Sequence, residues 1–125
     1  MNKNKLVEYI SGEYGCKEDF PFDKFPEISV FRHNDNKKWF VIFMEIEAEK
    51  LGIKSKGKVW TVGVKCDVLL RNSFLQEKGV YPSYHMNKNH WLSIVLDEVD
   101  EQILKTLIDI SFDITKKKYK TKKSA

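Results

Sequence analysis

ISVFRHNDNKKWFVIFMEIEAEKLGIKSKGKVWTVGVKC, residues 28–66, decides the fold, because it holds three strand-like runs in succession with no full helix between them. Residues 28–33 and 39–46 are rich in β-branched and aromatic side chains and flank Asn34, Asp35, Asn36 and Lys37, which are turn formers, so they predict a β-hairpin. The second run is apolar at every position from Trp39 to Met44, the pattern of a strand buried on both faces inside a sheet. Residues 47–57 carry Gly52, Gly57 and a cluster of charges, and read as an exposed connection with room for one helical turn. Residues 58–66 alternate, with Trp60, Val62, Val64 and Cys66 on one face, and predict a third strand.

Working outward, Leu6, Val7, Ile10 and Tyr14 share one helical face, with Asn2 or Asn4 as N-cap and Gly15 as the stop. Phe20, Pro21, Phe22 and Pro26 then make an extended aromatic connection expected to lie across the core. On the other side, Asp67 is a ready N-cap for a helix through Leu70 and Phe74 that ends at Gly79. Residues 80–85 suggest a short strand, and residues 91–96 a clearer one with Leu92, Ile94 and Leu96 facing the core. Val99, Ile103, Leu107, Ile110 and Ile114 keep helical spacing, with Asp97, Glu98, Asp100 and Glu101 at the start and lysines at the end, matching the helix dipole. The order α-β-β-β-α-β-β-α, strands consecutive rather than alternating with helices, predicts a single α+β domain. Its sheet is antiparallel and five-stranded, with helices on one face.

The 125 residues, 42% of them hydrophobic, suit one compact domain that holds itself together without metal or crosslinks, so no cofactor is expected. Cys16 and Cys66 form no CxxC pair, which favours free thiols, core positions and a reducing cytoplasm. The start lacks the apolar run of a signal peptide and no segment is apolar enough to span a membrane, so no membrane partner is expected. The net charge of +4 is misleading about the domain. Six lysines, Lys116, Lys117, Lys118, Lys120, Lys122 and Lys123, lie in the last ten residues beside no acid, so residues 1–115 carry 22 minus 6, or 16, basic groups against 18 acidic ones, a net of −2. Residues 1–115 therefore read as the folded domain and 116–125 as a disordered lysine-rich tail.

Catalytic signatures are sparse. His85 and His90 are five apart, a spacing that neither a helix nor a strand brings to one side, and with His33 distant no metal site is expected. Cys66 sits before a helix N-terminus, which favours a thiolate, but its apolar register favours a buried structural thiol. No glycine-rich phosphate loop or HExxH is present, and the expectation is a non-enzymatic protein. One stretch stands apart: GVYPSYHMNKNHW, residues 79–91, combines Tyr81, Tyr84, His85, Asn87, Lys88, Asn89, His90 and Trp91 without an acid. Such a mix can stack on bases, bond base edges and meet phosphates; it equally suits a turn leading into a strand.

The string YPSYHMNKNHWLSIVLD closely resembles the signature of the MmcQ/YjbR family of small bacterial proteins, approximately P-x-Y-H-M-N-K-x-H-W followed by an apolar strand ending in Leu-Asp. FPFDKFPEISVFRH and KKWFVIF are similar to that family's first hairpin, KLGI and VGVKCD to its next connection and third strand, and ILKTLIDISFDIT to its last helix, with Ser111 and Phe112 as the paired residues. The likeness runs to about residue 116; Val68 stands where the family often has proline, and the lysine tail lies outside the pattern. The resemblance implies an α-β(3)-α-β(2)-α fold similar to type III secretion chaperones. It also implies DNA binding, a label drawn from fold comparison with a winged phage transcription factor. On that reading Tyr84, His85, Asn87, Lys88, His90 and Trp91 form the contact surface and Lys116, Lys117 and Lys118 begin a mobile electrostatic clamp. The alternative is a chaperone-like module whose sheet or aromatic groove holds a protein partner.

Overall fold

The computed structural model describes residues 1–84 and 86–116. Helix α1 (Lys3–Tyr14) starts where the Asn2 side chain accepts a hydrogen bond from the Lys5 amide at 2.9 Å and stops at Gly15, whose φ of 65° only glycine adopts cheaply. The strands are β1 (Glu18–Asp19), β2 (Ser29–Arg32), β3 (Trp39–Glu47), β4 (Lys58–Lys65), β5 (Val80–Pro82) and β6 (Trp91–Val95). A 3-10 turn at Ala48–Leu51 supplies the single helical turn of the β3–β4 connection. Helix α2 (Val68–Phe74) is capped by Asp67, and α3 (Glu101–Thr115) by Asp100, whose carboxylate accepts from the Gln102 and Ile103 amides.

The strands form one antiparallel sheet in the order β1-β2-β3-β4-β6-β5. It has six strands rather than five: Glu18 and Asp19 pair with Phe31 and Val30, and two residues are too few to carry an alternation that a reader of the sequence would notice. The pairing of β2 with β3 shifts between Phe31 and Arg32, leaving Phe40 as an extra residue. This bulge turns Phe40 and Val41 into the same core, and both are fully buried.

α1 and α3 pack against one face, where Leu6, Ile10, Phe31, Phe43, Val62, Leu92, Leu107 and Ile108 are sealed from water. The opposite, outer face carries a smaller cluster of Val30, Ile42, Met44 and Ile46, so β3 is indeed buried on both sides.

Three expectations need correction. The buried stripe of α3 is Leu104, Leu107, Ile108, Ser111 and Thr115, not the Val99–Ile114 series; Ile114 is exposed. The helix is rotated because the Ser111 hydroxyl is required inside: it donates to the Phe40 carbonyl at 2.6 Å and accepts from the Lys65 amide at 2.9 Å, linking β3 and β4 beyond their last direct pair. Helix α2 ends at Phe74 rather than Gly79 and buries no residue; Leu70 faces water. The aromatic connection does not cross the core either: Phe20, Phe22 and Phe25 are exposed, the last two beside the outer face.

Candidate functional site

The segment singled out by sequence becomes the loop from residue 83 to residue 90, between β5 and β6, and short-range hydrogen bonds fix its shape. The buried Ser83 hydroxyl accepts from the Met86 amide at 3.1 Å, which folds Met86 back over the sheet. The Asn87 side chain accepts from the Asn89 amide at 2.8 Å, and its carbonyl accepts from the amides of His90 and Trp91 at 3.1 and 2.9 Å. The His90 carbonyl accepts from the Cys66 amide at 2.7 Å, tying the loop to the end of β4.

These bonds sort the predicted contact residues. Tyr84, Asn87, Lys88 and His90 are exposed together. The Asn87 side-chain oxygen already accepts one hydrogen bond within the turn, which ties the orientation of its amide to the loop backbone. Trp91 is half-buried against the outer cluster, so most of its ring serves packing. Tyr81, at the loop's root, donates to Glu98 at 2.7 Å, and burial with that bond pushes its hydroxyl up to about 12. His85, Lys117 and Lys118 lie outside the described residues.

Two cations join the loop that its own sequence does not contain. Arg71 of α2 donates through Nε to the Lys88 carbonyl, and Lys65 is the cross-strand partner of Trp91. Neither is visible from a linear motif; only the pairing of β4 with β6 and the position of α2 bring them there. Lys116 stands at the same end of the sheet, because Ser111, one turn earlier in α3, bonds at the start of β3 and the end of β4. The patch is not free of acid as the stretch 79–91 alone suggests: Asp67 caps α2 beside Arg71, and Asp113 holds Lys116 at 3.5 Å.

Nucleophilic and metal chemistry find little support nearby. The Cys66 thiol is buried and desolvation pushes its pKa up, away from a reactive thiolate. His33 is buried, with Nε2 2.8 Å from the Thr115 hydroxyl and its ring 4.4 Å from Phe112. Desolvation lowers its pKa. Among the described residues no three His, Cys, Asp or Glu side chains are placed to hold a metal ion, and no helix is long and apolar enough to cross a membrane.

The loop, sheet and helices have counterparts in known proteins. The family model described as YjbR matches residues 12–114. An uncharacterized Bacillus subtilis protein, YyaQ, is 33% identical over 117 residues, covering 93% of this chain and 99% of its own. A crystal structure of a Pseudomonas syringae protein, structural-genomics target PsR293, superposes with a TM-score of 0.89 at 38% identity, covering 93% of this chain and 100% of the other. A solution NMR structure under the same target name gives 0.87 at 37%, covering 97% and 98%. The Deinococcus radiodurans protein DR2400, assigned to domain DUF419, gives 0.61 at 25%, covering 94% and 83%. A family match across most of the chain, with a relative 33% identical over nearly the whole of both chains, leads to one conclusion: this protein belongs to the YjbR family.

Proposed function

We propose that this chain is a non-enzymatic binding module that meets the DNA phosphate backbone with the loop of residues 83–90 and its neighbours. The observation that carries the reading is the bond from Arg71 Nε to the Lys88 carbonyl, which holds two cations of separate elements on one surface beside the exposed His90. Lys65 and Lys116 at the same end add charge, and the lysine-rich tail grows from that end. With the Asn87 amide tied to its turn and Trp91 to packing, the contacts favour phosphate over base edges, so binding is weakly sequence-dependent. The buried Cys66 thiol and the enclosed His33 support a role without covalent or acid–base chemistry.

Salt titration of the full chain on a short duplex tests this. Lys88→Ala and Arg71→Ala each reduce the slope of log affinity against log salt by about 1. Replacing the six tail lysines by glutamine removes about 5. If the loop variants leave affinity and slope untouched while the tail replacement abolishes binding, the tail alone is sticky and the loop is not a DNA surface.

A second reading, a protein-interaction module, is favoured by α2: none of its residues is buried, and Val68, Leu69 and Leu70 are 50%, 87% and 43% exposed. In that case Leu69→Ser abolishes capture of a protein partner and leaves DNA affinity unchanged.

A further inference from the structure

A cavity of about 230 Å³ opens where the end of α1, β1 and the turn between β2 and β3 meet, and three cations line it: Lys17, Arg32 and Lys37. That volume lies below the roughly 300–1,000 Å³ of sites for drug-sized ligands, so it suits a small group. The strand register explains the grouping. Glu18 pairs with Phe31 and Asp19 with Val30, so one step further along Lys17 stands opposite Arg32. Both then face the side of the sheet away from Phe31 and the helices, which agrees with the Arg32 guanidinium lying 5.8 Å from the centre of the outer-face Trp39 ring. The turn that carries Lys37 is tied to the end of α1, because the Asn34 side chain donates to the Gly15 carbonyl at 3.1 Å.

The charges of the lining do not balance. Asp19 is its one acid, and it accepts from Arg32 Nε at 2.6 Å, a bond that uses one of the guanidinium's five donors. Lys17 and Lys37 form no ion pair among the described residues. The neighbouring acids are engaged elsewhere: Glu18 pairs with Lys3 at 3.1 Å, Asp113 with Lys116 at 3.5 Å, and the Asp35 carboxylate accepts from the Asn36 amide at 2.6 Å. Three cations minus one carboxylate leave the lining at +2, and like charges held opposite one another across strands repel unless an anion stands between them. Lys37 also occupies a backbone conformation that other residues hold more cheaply. Its φ of 63° is the only positive value of a non-glycine among the described residues, where glycine or asparagine would cost less.

We propose that this cavity binds a phosphoryl dianion, free or as a monoester, with Lys17 and Lys37 meeting its oxygens and Arg32 donating from Nη1 and Nη2. A dianion matches the +2 of the lining, and a single phosphoryl group suits the small volume. The site is independent of the DNA reading, since Lys88, Arg71 and the tail take no part in it, and a backbone diester carries only one charge.

Amide NMR titration of the full chain at about pH 8, where a phosphate monoester is dianionic, tests this with chloride holding the ionic strength constant. Inorganic phosphate and methyl phosphate are expected to saturate one site and to shift the amides of residues 15–19 and 32–38, and dimethyl phosphate, a monoanion, to bind about tenfold more weakly. Lys37→Asn suits the turn, so it keeps the melting temperature at or above that of the parent while phosphate affinity falls about tenfold; Lys17→Ala weakens phosphate to a similar degree. Replacing the six tail lysines by glutamine leaves the phosphate shifts in place, which separates this site from the DNA surface. Shifts that never saturate, equal affinity for the diester, unchanged affinity in Lys37→Asn, or loss of binding on tail replacement overturns the proposal.

Discussion

The two faces of the sheet are built from the same strands and finished differently. Under α1 and α3 the apolar side chains are sealed, and every buried polar side-chain atom among the described residues has a partner, including Ser111, Thr115 and His33. The outer face has a cluster of four buried residues, closed only in part by the aromatic arm and by Met86 of the loop. The first face is where burial sustains the fold; the second leaves aromatic surface in water, a cost that a purely structural face would avoid.

Substitution across the sheet tests this division most forcefully. Phe43 on the helix side is fully buried, and Phe43→Ala is expected to cost about 3–5 kcal/mol, enough to leave a domain of this size barely folded. Trp91, half-buried on the outer side, should cost about 2 kcal/mol when cut to alanine, and the protein should stay folded. Urea midpoints decide it. Equal losses would make the outer face as much a core as the other and remove the contrast.

What the sequence conveyed follows the same division. The alternation in residues 58–66 and the unbroken apolar run from Trp39 to Met44 announce the central strands, since buried faces constrain every second side chain. The phase of α3 was hidden because apolar residues surround much of that helix: Ile103, Ile110 and Ile114 compete with Leu104 and Ile108, and a hydrogen bond from Ser111 settles the rotation. A serine within an apolar helix face was the available signal. The site was legible only as a segment. That residues 83–90 form an exposed turn fits their Asn and Lys content, but Arg71, Lys65 and the arm with Phe22 and Phe25 reach their places through strand order, which is non-local.

Ser111 sharpens the contrast at a single atom. Its hydroxyl serves the Phe40 carbonyl and the Lys65 amide, two backbone groups that the bulge in β3 leaves without each other. Ser111→Ala strands both in a dry core and is expected to cost about 1–3 kcal/mol. Ser93, buried on the outer face, is the control for removing a buried hydroxyl on that side. A Ser111→Ala protein with an unchanged urea midpoint would mean that water replaces the hydroxyl and that the helix face is less dry than its packing implies.

The smallest expected effect is a pH dependence confined to the helix face. His33 is enclosed by Phe40 and Phe112, and desolvation holds its pKa below the ordinary 6.5, with Lys38 and Lys116 acting in the same direction and Asp35 against it. Between the folded value and 6.5 the unfolded chain binds more protons than the folded one, so stability rises with pH across that window and is lost as pH falls through it. The melting temperature should therefore decline as the solution is acidified below about pH 6.5, and His33→Gln, which can keep a hydrogen bond to Thr115, should flatten that decline. An identical pH profile in the variant would assign the acid sensitivity elsewhere, and would show that protonating this ring costs the helix-covered face nothing.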